Sequence, residues 1–334
     1  IDDRTIEVTL RSVDKRVSVE FDGDRFHNLF LIPNRPVSSK VQRQSSAHMR
    51  YFGPGEHNVG NIVMQEGDTI FIDNGATVYG SVNAYGVNNI VLMGHGTLCG
   101  SKSIHDINRR QPILYMQGCQ NVRIEGVMFR GSPSWTMHLA QCENVTFDNI
   151  KNICWMRNSD GFDLCNCRHV YITNCFLRNF DDNLSIKNFA ARPIGSKNDN
   201  SIVNFTRKDF TTEGTGGKEH AEDILMENCV LWADCAHNIL IGPESRADLH
   251  MDNIRFRNIQ ILEGLEHAIP YTGALAIMAA DEGTFTNISF QNIAIDHVTA
   301  AQPISLDYCT YVSRGKEVRD ISFRDIRVLS EAEL

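Results

Sequence analysis

A six-residue phrase recurs along this chain: any residue, Ile or Val, any, apolar, any, then Asn, Asp or Gly. It reads TIFIDN from Thr69, NIVLMG from Asn89, NVRIEG from Asn121, NVTFDN from Asn144 and HVYITN from His169. It continues as DILMEN from Asp223, NIRFRN from Asn253, NISFQN from Asn287 and DISFRD from Asp320. A chain that repeats itself at short period folds as a stack of repeats, so this phrase limits the architecture more than any other feature. Its second positions are Ile70, Ile90, Val122, Val145, Val170, Ile224, Ile254, Ile288 and Ile321, spaced by 20, 32, 23, 25, 54, 30, 34 and 33 residues. The spacing of 54 reads as one rung with an insertion around 188–222, or as one further degenerate rung.

Within each copy the apolar residues alternate with period two, the mark of a strand with one buried face. Val, Ile and Phe fill the inward slots, as pleated packing favours. The terminal Asn, Asp or Gly suits a turn, because these residues tolerate left-handed backbone. A strand–helix–strand unit needs about 30 residues or more with a 3.6-residue period, and no such period is visible. The expected fold is therefore all-β: a right-handed parallel β-helix over residues 49–334, preceded by a short β unit over 1–48. In that unit TIEVTL, RVSVEF and HNLFLIP read as antiparallel strands, with DGD as a turn.

Composition narrows the partners. The chain of 334 residues is 42% apolar, enough for a large core, and no run approaches the ~18 apolar residues of a membrane span. Its 32 basic and 41 acidic residues give a net charge of −9, which disfavours nucleic acid. The polar stretch KDFTTEGTGGKEHAED, from Lys208, reads as a surface loop. The chain begins at Ile1 rather than Met, so the lack of a visible leader says little about compartment. The ten cysteines contain no C-x2-C pair, and Cys165 and Cys167 have no matching His pair, so no zinc site is expected. Cys119, Cys142 and Cys167 each stand three residues before a copy's second position, which fits a stack of small buried thiols better than a redox or metal column.

A second alternation follows several copies: WTMHL from Trp135, DGFDL from Asp160, DNLSI from Asp182 and HNILI from His237. Aligned on their apolar pairs, Trp135, Asp160, Asp182 and His237 fall in one column. Adjacent strands lie about 4.8 Å apart, so the coil brings Asp160 beside the tandem Asp181 and Asp182. Strand parity alone points Asp160 and Asp182 inward with Phe162 and Leu184, so a bend before each strand is required. Clustered carboxylates raise one another's pKa. One can then stay protonated as a general acid while another, ionised, activates water, the pair that glycosidic hydrolysis needs.

The words around these residues resemble glycoside hydrolase family 28, the polygalacturonase-like pectinases. SPSWTMHLAQCENVTFDNI, from Ser132, resembles that family's S-P-x-W-x-x-H-x-x-x-C-x-N-V segment. NSDGFD resembles N-T-D-G-x-D, and DDNLSIK resembles D-D-C-x-A-I-K with Asn183 in place of Cys. AHNILIGPE resembles G-H-G-x-S-I-G-S, keeping His237, Ile241 and Gly242. The stretches YFGPGEH, GATVYGS and GHGTLCGS in the N-terminal part also resemble the dextranase-type family 49. The resemblance implies Asp181 as the general acid, Asp160 and Asp182 as the residues that position and deprotonate water, and His237 as the residue that tunes the acid. It implies substrate contacts from Trp135, His138, Lys187 and Tyr308, with Tyr311 as an alternative to Tyr308. It further implies an inverting hydrolase acting on a polysaccharide, monomeric, secreted or periplasmic, and needing no metal or cofactor.

One departure bears on substrate. The family's R-I-K motif, whose cations hold a uronate carboxylate, corresponds to GALAIMAADEG, with Ala276 and Met278 where Arg and Lys are expected. A buried carboxylate left without a cation is costly, so a neutral or branched, pectin-related glycan is expected rather than plain polygalacturonate. Lys187 and Arg246 are the nearest replacement cations by sequence. The alternatives are a polysaccharide lyase, which the three aspartates and missing cations disfavour, and a non-catalytic carbohydrate-binding β-helix, which needs no clustered acids.

Overall fold

The computed structural model describes residues 4–13, 15–34, 47–102, 111–188, 220–245, 250–265, 273–280, 283–299, 302–308 and 316–329. Among them there is no helix, and none therefore that could cross a membrane. The chain divides into two compact units, Ile1–Gln42 and Arg43–Leu334.

In the smaller unit Val17–Phe21 pairs antiparallel with Asp24–Leu31. The two-residue turn between them holds Asp22 at φ 54° and Gly23 at φ 76°, the paired positive angles of a tight hairpin. Thr5–Leu10, expected as a third strand, is not one: Ile6 and Val8 are exposed, and the alternation finds no sheet face to bury it.

The larger unit is a right-handed parallel β-helix with three strand ladders. The recurring phrase forms the first ladder, where Val122 sits beside Val145 and Val145 beside Val170. The same column runs on through Ile224, Ile254, Ile288 and Ile321. Because Val170 pairs directly with Ile224, the spacing of 54 is one rung with an insertion, not two rungs. The insertion leaves after Leu184–Asn188 and returns at Ala221–Glu227; most of it, including Lys208 and its neighbours, lies outside the described residues. The Thr69 copy is a correction to the alignment: Ile70 pairs with Leu92, not Ile90. That slip of two residues preserves the in–out alternation, so the pattern could not reveal it.

In the eight copies from Asn89 onward, both the first and last residue have positive φ, for example Asn144 at 55° and Asn149 at 58°. The phrase thus marks two corners, and its first position, which the sequence pattern left open, is as restricted as its last. Side chains at these corners bond rung to rung. Asn121 Nδ2 donates to Asn89 Oδ1 at 3.1 Å, and Asn292 Nδ2 to Asn258 Oδ1 at 2.9 Å. Gly94 fills one corner because a Cβ there would lie 1.9 Å from the Ile72 carbonyl oxygen.

Like stacks on like: the buried Phe256 and Phe290 rings stack at 4.9 Å, and Phe290 stacks on the more exposed Phe323 at 4.9 Å. Each fully buried Val, Leu, Ile or Phe contributes roughly 1.5–3 kcal/mol relative to exposure. Cys119, Cys142 and Cys167 are buried beside this core, and each thiol donates to a backbone carbonyl. The Cys142 thiol and burial push Cys119 up, and burial pushes Cys142 up, so these thiols behave as small apolar groups.

The third ladder carries the column of interest. Its strands Met137–Ala140, Phe162–Cys165, Leu184–Asn188, Ile239–Ser245, Gly273–Ala279 and Gln302–Tyr308 lie side by side.

Candidate active site

Asp160, Asp182 and His237 each stand two residues before a third-ladder strand. The Phe162–Leu184 and Leu184–Ile239 pairings put them in adjacent rungs. The corner continues the ladder: Thr136 N–H donates to the Asp160 carbonyl, Gly161 N–H to that of Asp182, and Asn183 N–H to that of His237. The chain bends at Gly161, Asn183 and Asn238, just after each functional residue. A Cβ at Gly161 would lie 2.3 Å from the Asn183 carbonyl oxygen, so only glycine lets the rungs close there.

The bend is held by buried amides. Asn179 Nδ2 donates to Asn183 Oδ1 at 2.8 Å, Asn183 Nδ2 to Asn238 Oδ1 at 2.9 Å, and Asn238 Nδ2 to the Glu263 carbonyl at 3.0 Å. Asn183, which departs from the family's Cys, is the middle of this chain. A buried amide chain of this kind fixes one backbone arrangement because leaving any member unpaired costs about 1–3 kcal/mol. Sequence reasoning missed it, although Asn183 and Asn238 both directly follow a column residue.

One oxygen from each of Asp160, Asp181 and Asp182 lies within 4.8 Å of the others. Asp160 and Asp182 are buried and Asp181 is half-buried. Burial, then the charges of Asp163 and Asp181, pushes Asp160 well above the usual carboxylate range. Burial and the Asp182 charge push Asp181 up to about 6, with the Asp182 N–H, Lys187 and His237 opposing. Asp181 Oδ1 accepts from Asp182 N–H at 3.1 Å. Asp182 Oδ1 accepts from the backbone N–H of His237 at 3.0 Å and lies 2.8 Å from its Nδ1. His237 therefore bonds Asp182, and its charge also acts on Asp181, lowering it against the effect of burial. The three carboxylates are also a donor set for a hard cation, though acidic clusters of this size are ordinary without one.

Lys187 is buried rather than displayed in the groove. Its Nζ is 3.1 Å from Asp163 Oδ1 and 3.8 Å from the centre of the Trp135 ring. Trp135 is buried too, and its ring meets that of His138 edge-on at 5.0 Å, as Tyr115 does at 4.9 Å. Trp135, His138 and Lys187 thus form one packed set. Tyr308 does not join them. It is exposed, and three rungs, about 14 Å along the axis, separate its strand from that of Asp182. Tyr311 and Arg246 lie outside the described residues.

Ala276 sits beside Leu240 and Ser305, and Met278 beside Asp307. Leu240, Ala276, Met278 and Ala280 form a small apolar cluster of their own, apart from the main core. The rung that follows His237 therefore holds a buried apolar cluster and, one strand on, the half-buried carboxylate of Asp307.

Three carboxylates thus stand together at one corner of a parallel β-helix. Residues 63–332 match the glycosyl hydrolases family 28, and the chain belongs to that family. It is 22% identical over 250 residues to the probable exopolygalacturonase B of Aspergillus fumigatus, covering 68% of this chain and 47% of that protein. It is 23% identical over 273 residues to an exopolygalacturonase of Cochliobolus carbonum, covering 72% and 54%. The chain thus spans about half the length of the relatives it matches. Among solved structures, the polygalacturonase from Erwinia carotovora ssp. carotovora aligns with TM-score 0.56 at 12% identity, over 84% of this chain and 85% of that one. Dex49A from Penicillium minioluteum aligns with TM-score 0.52 at 10% identity, over 90% and 61%. Both likenesses are of fold.

Proposed function

We propose that this chain hydrolyses a glycosidic bond in a neutral or branched, pectin-related glycan outside the cell. The observation that carries this reading is the cluster of three carboxylates within 4.8 Å, one of them held near pH 6. Asp181, half-buried and protonated below about 6, donates its proton to the leaving oxygen. Asp160 and Asp182 hold the attacking water, and His237 fixes Asp182 in place through two contacts to one oxygen.

Inversion at the anomeric carbon is the outcome proposed. One oxygen from each aspartate lies within 4.8 Å of the others, a span that one water at about 2.8 Å from each of two oxygens can bridge, and both Asp160 and Asp182 are available to hold it.

Ala276 and Met278 supply no cation, and Asp307 beside Met278 supplies a further carboxylate, which together support an uncharged sugar at the neighbouring subsite. A uronate there would need a charge-assisted partner. The test compares initial rates on polygalacturonate, rhamnogalacturonan and neutral glucans, and follows the first anomer released by proton NMR. Fast turnover of polygalacturonate would refute the substrate assignment. Release of the retained anomer would refute the water-holding roles of Asp160 and Asp182.

A further inference from the structure

The corner between the second and third ladders carries a column that the hydrolytic reading does not use. Lys151–Cys154 pairs with Phe176–Asn179, and that strand with Val230–Ala233, so Trp155, Phe180 and Asp234 follow in line. Phe180 N–H donates to the Cys154 carbonyl at 3.0 Å, and Asp234 N–H to that of Asn179 at 2.8 Å. Trp155 is 58% exposed and Met156 38%, in a chain whose other two tryptophans are buried. Single exposed apolar residues are ordinary, so exposure alone carries nothing. What lies beneath this one is not ordinary.

Arg178 is buried below the Trp155 ring, 5.4 Å from its centre, and lies 4.5 Å over the Trp232 ring. Its Nε and Nη2 donate to the two oxygens of Asp234 at 3.0 and 3.3 Å, and Trp232 Nε1 donates to Asp234 Oδ1 at 2.8 Å. Taking an ion pair out of water commonly costs as much as its attraction returns, so packing alone gives no reason for it. It does hold a planar cation under an exposed indole, and cations bind ring faces. Phe180 meets the same indole edge-on at 6.0 Å. The ring is therefore fixed from below and from one side, with its remaining surface in solvent. Its position matters as well: Phe180 is bonded to Asp181, and Asp160 follows Trp155 by five residues.

We infer that Trp155, flanked by Phe180 and Met156, is a stacking platform for one pyranose ring of the bound glycan, a subsite removed from the bond at Asp181, and that Arg178, Asp234 and Trp232 are its pedestal. A pyranose presents one face of C–H groups, which suits an amphipathic aromatic ring that gives up little entropy on binding. Such a platform accepts neutral rings without a cation. The inference rests on the hydrolase reading for the identity of the ligand.

Binding is measured on Asp181→Asn protein, which should not turn substrate over. Length-graded fragments of rhamnogalacturonan, polygalacturonate and a neutral glucan are titrated by calorimetry and indole fluorescence. Adding Trp155→Ala should raise Kd for long fragments about tenfold, the scale of one aromatic stacking contact. It should leave the shortest fragments unchanged, and Trp155→Phe should recover most of the loss. In the active protein Trp155→Ala should raise KM with kcat held. Unchanged Kd at every length would overturn the platform while leaving hydrolysis untouched. Equal weakening at all lengths would also overturn it, as general distortion. Trp155-dependent binding without turnover by the unmutated chain would sustain the platform and refute the hydrolase reading instead.

Discussion

Replacing Asp181 with Asn should destroy turnover and stabilise the fold at neutral pH, and both effects follow from one carboxyl group. In the unfolded chain Asp181 ionises at its ordinary value of 3.8, whereas in the fold burial and Asp182 hold its proton to about 6. Below pH 3.8 both states are protonated and the group is neutral toward stability. As pH rises through that window the unfolded chain sheds the proton first, so stability falls, and the loss is complete above about 6. The rise from 3.8 to about 6, at ~1.4 kcal/mol for each tenfold change in proton affinity, gives a ceiling of about 3 kcal/mol. Partial solvent screening of a half-buried group reduces that to roughly 1–2 kcal/mol. Asn has nearly the same shape, and its amide oxygen can still accept the Asp182 N–H, which sits 3.1 Å from Asp181 Oδ1. The gain should appear as a rise in Tm of a few degrees at pH 7.5, and should vanish near pH 3.5. Turnover should fall about 10²–10⁴-fold. Parallel thermal melts of both proteins at the two pH values decide the matter. A variant no more stable at pH 7.5, or one whose gain persists at pH 3.5, would show that Asp181 carries no buried-charge penalty.

Three further outcomes are expected. The pH–rate profile should lose activity as pH rises through about 6, where Asp181 gives up the proton it must donate; a profile flat to pH 8 would exclude Asp181 as the acid. Lys187→Met should cost roughly 3–5 kcal/mol in urea denaturation, because it leaves the fully buried Asp163 without its 3.1 Å partner; a loss under 1 kcal/mol would mean that Asp163 is not charged in the fold. Asn183→Ala should lower stability by about 2–4 kcal/mol, since it strands both Asn179 and Asn238, and should lower kcat through the loosened Asp182; unchanged kinetics would show that the amide chain does not set the carboxylate.

The coil was legible because its signal is local. Every copy states its own in–out alternation, and the Asn, Asp or Gly at its end states its own corner. The column of Asp160, Asp182 and His237 was legible for the same reason, from the apolar pairs that follow each residue. The bend that precedes each of those strands was not. It depends on Gly161 meeting the Asn183 carbonyl and on Asn183 meeting Asn238, contacts 22 and 55 residues apart that no local period records. The slip of the Thr69 copy was hidden because a two-residue shift preserves parity. The partner of Lys187 was hidden because Asp163 stands on the neighbouring rung, 24 residues back in the chain, where no local period records the contact.

The thiols in the interior give this molecule a built-in clock for its own opening. Cys119, Cys142 and Cys167 occupy three successive rungs, all buried beside the core. A reagent in solution reaches each one only when its rung separates from a neighbour. Stacked repeats that touch only the next in line can open from one end or all together. The order in which the three sulfurs are alkylated distinguishes these cases: a graded sequence means that the coil unwinds rung by rung, and a common rate means that it opens as one block.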